Sequence, residues 1–153
     1  MFKVNVVTVG RVKESYFRQA LEEYAKRLTR FCEFSVYECK EYSLDEIPEN
    51  VVLEREGDEI LKRLKGHVIV MAIEGAKITS EKLSAKLKRI KDSVGEVTFV
   101  IGSSCGLSDK VKARANELIS FSDMTFPHTL FRVMLFEQIY RAFMIDGGGK
   151  YHK

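Results

Sequence analysis

The sequence predicts an open α/β fold, a mostly parallel sheet flanked by helices, formed by a single domain over residues 1–153. Short β-branched runs alternate with stretches of helical period almost from end to end. His67 to Ile73 and Val97 to Ile101 are continuous apolar runs, the pattern of parallel strands covered on both faces, and a helical stretch separates them. That order of strand, helix and strand implies right-handed crossovers within one sheet. With 45% hydrophobic residues, 153 residues suffice for one core and are too few for two.

Phe2 to Val9 reads as the first strand, Glu14 to Thr29 as a helix and Cys32 to Cys39 as a second strand. Asp45 to Glu56 is acidic and contains Pro48, so it reads as a loop leading into a helix around Gly57 to Lys65. His67 to Ile73 is the next strand. The helix from about Ser80 to Lys91 is expected to be capped by Thr79 or Ser80. Val97 to Ile101 follows as a strand, and Ser108 precedes a helix expected to run to about Ile119. In the last helix, Pro127 to Ile145, apolar residues from Leu130 to Met144 cover nearly the whole circumference. Such a helix needs partners on two sides. The sheet is one, and a second copy of the chain is expected as the other, giving an isologous homodimer; burial within a monomer is the competing reading.

The formal charge is only +3, so the chain is no polycation, and any hold on nucleic acid must come from patches. Arg11 to Arg30 carries six basic against three acidic residues and Leu61 to Lys91 nine against two, while Glu38 to Glu59 carries nine acidic against two basic. A basic face of this kind can gather phosphates, although ordinary solvated helices give the same pattern. The three cysteines lack C-x-x-C spacing and no histidine cluster accompanies them, so neither a disulfide framework nor a metal site is indicated. No secretory signal is recognised at the N-terminus, and the run Val68 to Ile73 is far below the roughly 18 residues that span a bilayer. A reduced, cytoplasmic protein off the membrane is expected.

After the strand at 97–101 comes Gly102-Ser103-Ser104-Cys105-Gly106-Leu107, then the helix from Ser108. Glycines at a strand's C-terminal end let a ligand approach the backbone, and open α/β sheets bind ligands there; a tight turn needing positive φ explains the same residues. The segment also fits the G-x-S-x-G elbow of serine hydrolases, with Ser104 as nucleophile and Asp123 and His128 following in order. The short chain and the missing upstream oxyanion segment argue against it. A phosphate-cradling P-loop is excluded on spacing. Gly147-Gly148-Gly149 reads as a hinge carrying Tyr151-His152-Lys153, a tail able to fold over a site when substrate arrives.

The stretches FVIGSSCGLSD, ISFSDMTFPHTLFRVMLFEQIYRAF and GGGKYHK, with VNVVTVGRVKESYFRQALEEYAKRL near the start and AIEGAKITSEKL in the middle, resemble the ribosomal large-subunit methyltransferase H family. That family is a minimal branch of the SPOUT superfamily, and the resemblance covers essentially the whole chain. FSDMTFPH together with the terminal YHK is its most specific part. This chain departs from the family's usual Gly-Gly at Gly102-Ser103 and from its usual Gly-Lys at Gly75-Ala76.

The resemblance implies an α/β sandwich whose C-terminal part threads a trefoil knot. It implies S-adenosyl-L-methionine (SAM) held largely by backbone groups at Met71, Gly102 and the run Phe121, Ser122, Asp123, Met124, Thr125 and Phe126. The reaction implied is methylation of N3 of a pseudouridine in 23S rRNA of the assembled 70S ribosome. His128, Arg132, Arg141, Tyr151 and His152 are the residues it would place around the base. Among them Arg141 is the expected anion stabiliser, with a salt bridge to Glu137 as its competing role; His128 orients substrate, takes the proton or only caps its helix. A non-catalytic RNA-binding relative that has lost SAM binding remains the second possibility.

Overall fold

A computed structural model describes all residues, 1–153. Five strands form one parallel sheet: β1 (Lys3–Val9), β2 (Glu33–Cys39), β3 (His67–Lys77), β4 (Glu96–Val100) and β5 (Glu117–Ser120), in the spatial order β2-β1-β4-β3-β5. Five helices connect and flank them: α1 (Ser15–Leu28), α2 (Glu49–Leu61), α3 (Ser80–Ser93), α4 (Asp109–Arg114) and α5 (His128–Asp146). The open parallel α/β architecture is the one the sequence predicts.

Successive residues of a strand face opposite sides of the sheet, and both sides here are apolar. Val4 and Val6 join Ile69, Phe99 and Ile101 in a core beneath α1, α3 and α5. Val7 and Val9 join Val68, Val70 and Val100 in a smaller core beneath α2 and α4, sealed by Ile60 and Val111. Helix α5 lies between α1 and α3 and buries Arg132, Leu135, Phe136, Ile139 and Ala142. Its remaining apolar residues, among them Val133 and Met134, are only half-buried. Thr79 caps α3 as expected, its side chain accepting from Lys82 N at 3.1 Å.

Three expectations are corrected. The acidic stretch before Gly57 is not a loop: Pro48 sits at the helix N-cap and α2 runs from Glu49. Proline is tolerated at such a start because the first amides of a helix have no intrahelical acceptor. The helix expected from Ser108 to Ile119 stops at Arg114, and the chain turns at Ala115 and Asn116 into the edge strand β5. Asn116 forces the change, its Oδ1 accepting from Val68 N at 2.7 Å and its own N donating to Val68 O at 2.9 Å. That pairing with β3 outweighs helical propensity. Finally, β3 extends past Ile73 to Lys77, with a register jump against β5 between Met71 and Ala76. Gly75 makes the return possible, since a Cβ there would stand 2.6 Å from Ile119 N.

Candidate functional site: a cleft at the C-terminal edge of the sheet

Beside the ends of β4 and β5 and the bulge within β3, three segments line a cleft of about 330 Å³. The β3 bulge contributes Ala72, Ile73 and Glu74, the turn after β4 contributes Gly102 to Ser104 with Gly106 and Leu107, and the loop after β5 contributes Phe121, Ser122, Met124, Thr125 and Phe126. Met71 and Ile101 form part of the wall, and His128 and Phe131 close it from the first turn of α5. The turn at 102–106 and the loop at 121–126 thus meet in one cavity beside the C-terminal helix.

Backbone closeness shapes the turn. Gly106 N donates to Ser103 O at 2.9 Å, and Gly106 takes φ +83°, a conformation that favours glycine. A Cβ on Gly102 would stand 2.4 Å from Gly106 O, so only glycine lets the turn fold back on itself. Beneath it, Ser103 Oγ donates to Glu56 Oε1 at 2.7 Å and accepts from Cys105 N at 3.2 Å. Glu56 is only 2% exposed, and its other oxygen accepts from Tyr42 N at 3.2 Å. At the rim Lys112 pairs with Glu74 at 2.6 Å, and the hydrogen bond from Lys112 holds the Glu74 carboxyl below its usual range. Glu56, Glu74 and Lys112 carried no sequence signal; Gly75 within a strand was the one available hint of the bulge.

The residues expected around the base do not gather in one place. His128 lines the cleft, and no side chain caps α5, so capping is not its role. Arg141, Tyr151 and His152 form a separate cluster. Arg141 Nη2 donates to Glu137 Oε2 at 2.8 Å and its Nε to Glu137 Oε1 at 3.3 Å, while Tyr151 OH donates to Glu137 Oε2 at 2.6 Å. Arg141 Nη1 lies 3.1 Å from His152 Nδ1, and His152 Nε2 lies 2.7 Å from Glu81 Oε1, so the tail folds back across α5 onto α3. Burial and the bond to Glu137 both push the Tyr151 phenol's pKa up, and Glu137 does the same for Arg141. A second cavity, of about 340 Å³, lies between α3 and the outer side of α5; Glu137 forms part of its wall, and Phe121 is shared with the first cleft.

Arg132 is elsewhere again. Its side chain is 2% exposed and points to the end of β1, donating to Glu38 Oε2 at 2.9 Å and to the carbonyls of Val9 and Gly10 at 3.3 and 3.2 Å. Burial pulls its pKa down against the opposing pull of Glu38. The structure thus places Arg132 away from the cleft: its guanidinium joins α5 to the sheet through Nη1 and Nη2, while its buried Nε finds no partner. Asp123 also departs from its neighbours, its carboxylate turning outward to Lys77 rather than into the cleft. That orientation removes the hydrolase reading, since Asp123 does not reach His128, and no residue but glycine has the positive φ of a strained turn.

The family described as "Predicted SPOUT methyltransferase" matches residues 2–152. A protein of Caldicellulosiruptor bescii named ribosomal RNA large subunit methyltransferase H is 47% identical, with 98% of this chain and 99% of that one covered. One of the same name from Latilactobacillus sakei is 43% identical over the same shares. Two solved structures share the fold at low identity. A probable methyltransferase of Bordetella pertussis has TM-score 0.56 at 11% identity, covering 92% of this chain and 96% of its own. The tRNA (m1G37) methyltransferase of Aquifex aeolicus has TM-score 0.53 at 14%, covering 91% and 69%. With the cleft built from the family's motif segments, the chain belongs to the SPOUT methyltransferases, in the branch of ribosomal RNA large subunit methyltransferase H proteins.

Proposed function

We propose that this chain is a SAM-dependent methyltransferase acting on N3 of a pseudouridine in 23S rRNA, on the assembled 70S ribosome in the cytoplasm. The observation that carries the reading is the shared cleft of the 102–107 turn and the 121–126 loop, in a chain related end to end to proteins named as rRNA methyltransferases. We further infer the C-terminal trefoil knot and a homodimer through the half-buried face of α5.

The cleft suits SAM. Its volume lies at the small end of the roughly 300–1,000 Å³ usual for ligand pockets, and its lining mixes apolar side chains with glycines and small polar residues. Met71, Phe121 and Phe126 offer apolar walls to an adenine, while Gly102, Ser122, Met124 and Thr125 bring main chain to its edge. Asp123 acts through the loop, which it ties to Lys77. Bound there, SAM supplies an electrophilic methyl group on a sulfonium.

The remaining work falls to the chain. N3–H of the base is weakly acidic, so a group in the site must take its proton while the nitrogen is held in line. Of the two cleft residues able to take a proton, Glu74 is tied to Lys112, so His128 is assigned the role. Arg141, which with Tyr151 and His152 lies outside the cleft of its own copy, supplies from across the α5 dimer a cation for the charge that develops on the uracil carbonyls, and its pairing with Glu137 holds the guanidinium in place meanwhile. Tyr151 and His152 give the base a face to stack on and a hydrogen-bonding edge.

Methylation of purified 70S ribosomes and free 50S subunits, with the product nucleoside identified by mass spectrometry, tests the reading. The expected product is 3-methylpseudouridine, formed more readily on 70S. Arg141→Ala is expected to leave SAM affinity within a few-fold and abolish turnover. Calorimetry showing no heat with SAM or S-adenosylhomocysteine would instead leave a non-catalytic RNA-binding protein.

A further inference from the structure

A groove runs along the sheet's outer edge, between α3 and the ends of β3 and β5, sharing Ile78 with the second cavity and no residue with the first. Lys77, Lys82, Lys86 and Arg89 line it, with Glu117 as the single carboxylate and Ala85 as part of its floor. Four cations against one anion give this groove +3, equal to the formal charge of the whole chain.

Its cations differ in their engagement. Lys86 is held by Glu117 at 2.6 Å, and Glu117 is also bonded by His67 at 2.6 Å. Burial raises the Glu117 carboxyl's pKa, but the bonds from Lys86 and His67 outweigh that and leave it lowered, so it stays ionised. Lys77 is bound to Asp123. Lys82 and Arg89 are exposed and make no ion pair; with Lys86 between them, their positions recur one turn apart along a single helix face, rising by about 6 and 4.5 Å. A row of cations at that interval suits a chain of phosphates.

Its position points the same way. Ser84 Oγ donates to Ala142 O at 2.6 Å, so that side of α3 packs on α5, whereas Lys82, Ala85, Lys86 and Arg89 lie on the opposite side. At its upper end, Lys77 grips Asp123, whose neighbours Ser122 and Met124 line the donor cleft.

We propose that this groove is an RNA-backbone track: Lys82 and Arg89 each neutralise a phosphate of the rRNA strand and lead it past Lys77 to the methyl-donor loop. The inference rests on rRNA as substrate and adds where the chain grips it. Each phosphate neutralised on a single strand releases counterions and steepens the salt dependence of binding by roughly 0.7 in log K against log salt.

Binding of an rRNA stem-loop fragment, measured from low to physiological salt, tests it. Lys82→Gln with Arg89→Gln is expected to weaken binding about tenfold at low salt and to flatten the slope by about 1.4, two phosphates at roughly 0.7 each. SAM heat should not change. Lys3→Gln with Lys91→Gln removes the same charge from positions outside the groove and should leave the slope intact. Ala85→Glu, which puts a carboxylate on the groove floor, should weaken binding in the same way. Equal behaviour of the groove pair and the control pair, or an unchanged slope, overturns the proposal. A wild-type chain that binds the fragment with the full slope yet methylates no rRNA refutes the enzymatic reading and leaves the track standing.

Discussion

Gly102 governs the shape of the cleft through the space it leaves. The oxygen that a Cβ would meet is backbone, part of a turn already fixed by the Ser103–Gly106 pairing, and it cannot swing aside as a flexible side chain would. Gly102→Ala is therefore expected to open the turn and weaken SAM binding at least tenfold, about 1.4 kcal/mol, measured by calorimetry. Ser103 works from below. Glu56 is buried with no cation beside it, and the serine hydroxyl is the only partner of its Oε1. Ser103→Ala leaves that oxygen unsatisfied and should cost about 1–3 kcal/mol of stability, seen as a lower urea midpoint at unchanged slope. Its bonds to Glu56 and to Cys105 N anchor the turn from below, beyond what the backbone pairing alone supplies.

At the scale of elements, the site depends on β5, a strand of four residues at the sheet edge. Asn116 starts it by pairing with both backbone groups of Val68. Asn116→Ala keeps the amide bond and loses the side-chain acceptor. It is expected to destabilise the fold by about 1 kcal/mol. Hydrogen exchange should speed up over Leu118 to Phe121, with weaker SAM binding, because the 121–126 loop hangs from that strand. Unchanged exchange there would mean that β3 holds β5 without the asparagine. The long strands and helices were legible in the sequence because their apolar period persists for several turns or pleats. β5 was not: Glu117 to Ser120 is too short to show a period, and what ends α4 before it is a partner 48 residues away. The β3 bulge failed for a similar reason, since its return depends on how closely Gly75 passes Ile119.

For the whole molecule, the motif segments indicated which loops meet in the cleft, and the spacing of Arg132 and Arg141, nine positions at about 100° each, already puts them on opposite sides of α5. What the spacing leaves to packing is which of the two fastens α5 to the end of β1 and which is held beside the tail. The same helix carries the question of assembly. Val133 and Met134 line the second cavity with Tyr24 and Ile78 over the buried Leu83, a half-buried apolar face that one copy of the chain does not cover. Covering it with the same face of another copy removes that surface from water and closes the assembly at two subunits. A carboxylate in the middle would be desolvated in the dimer and hydrated in the monomer, so Met134→Glu should act on association far more than on folding. Sedimentation equilibrium should give twice the chain mass for the wild type and the single chain mass for Met134→Glu, with an unchanged far-ultraviolet spectrum. If the variant sediments as a dimer, α5 is not the seam, and its outer face must be covered in some other way.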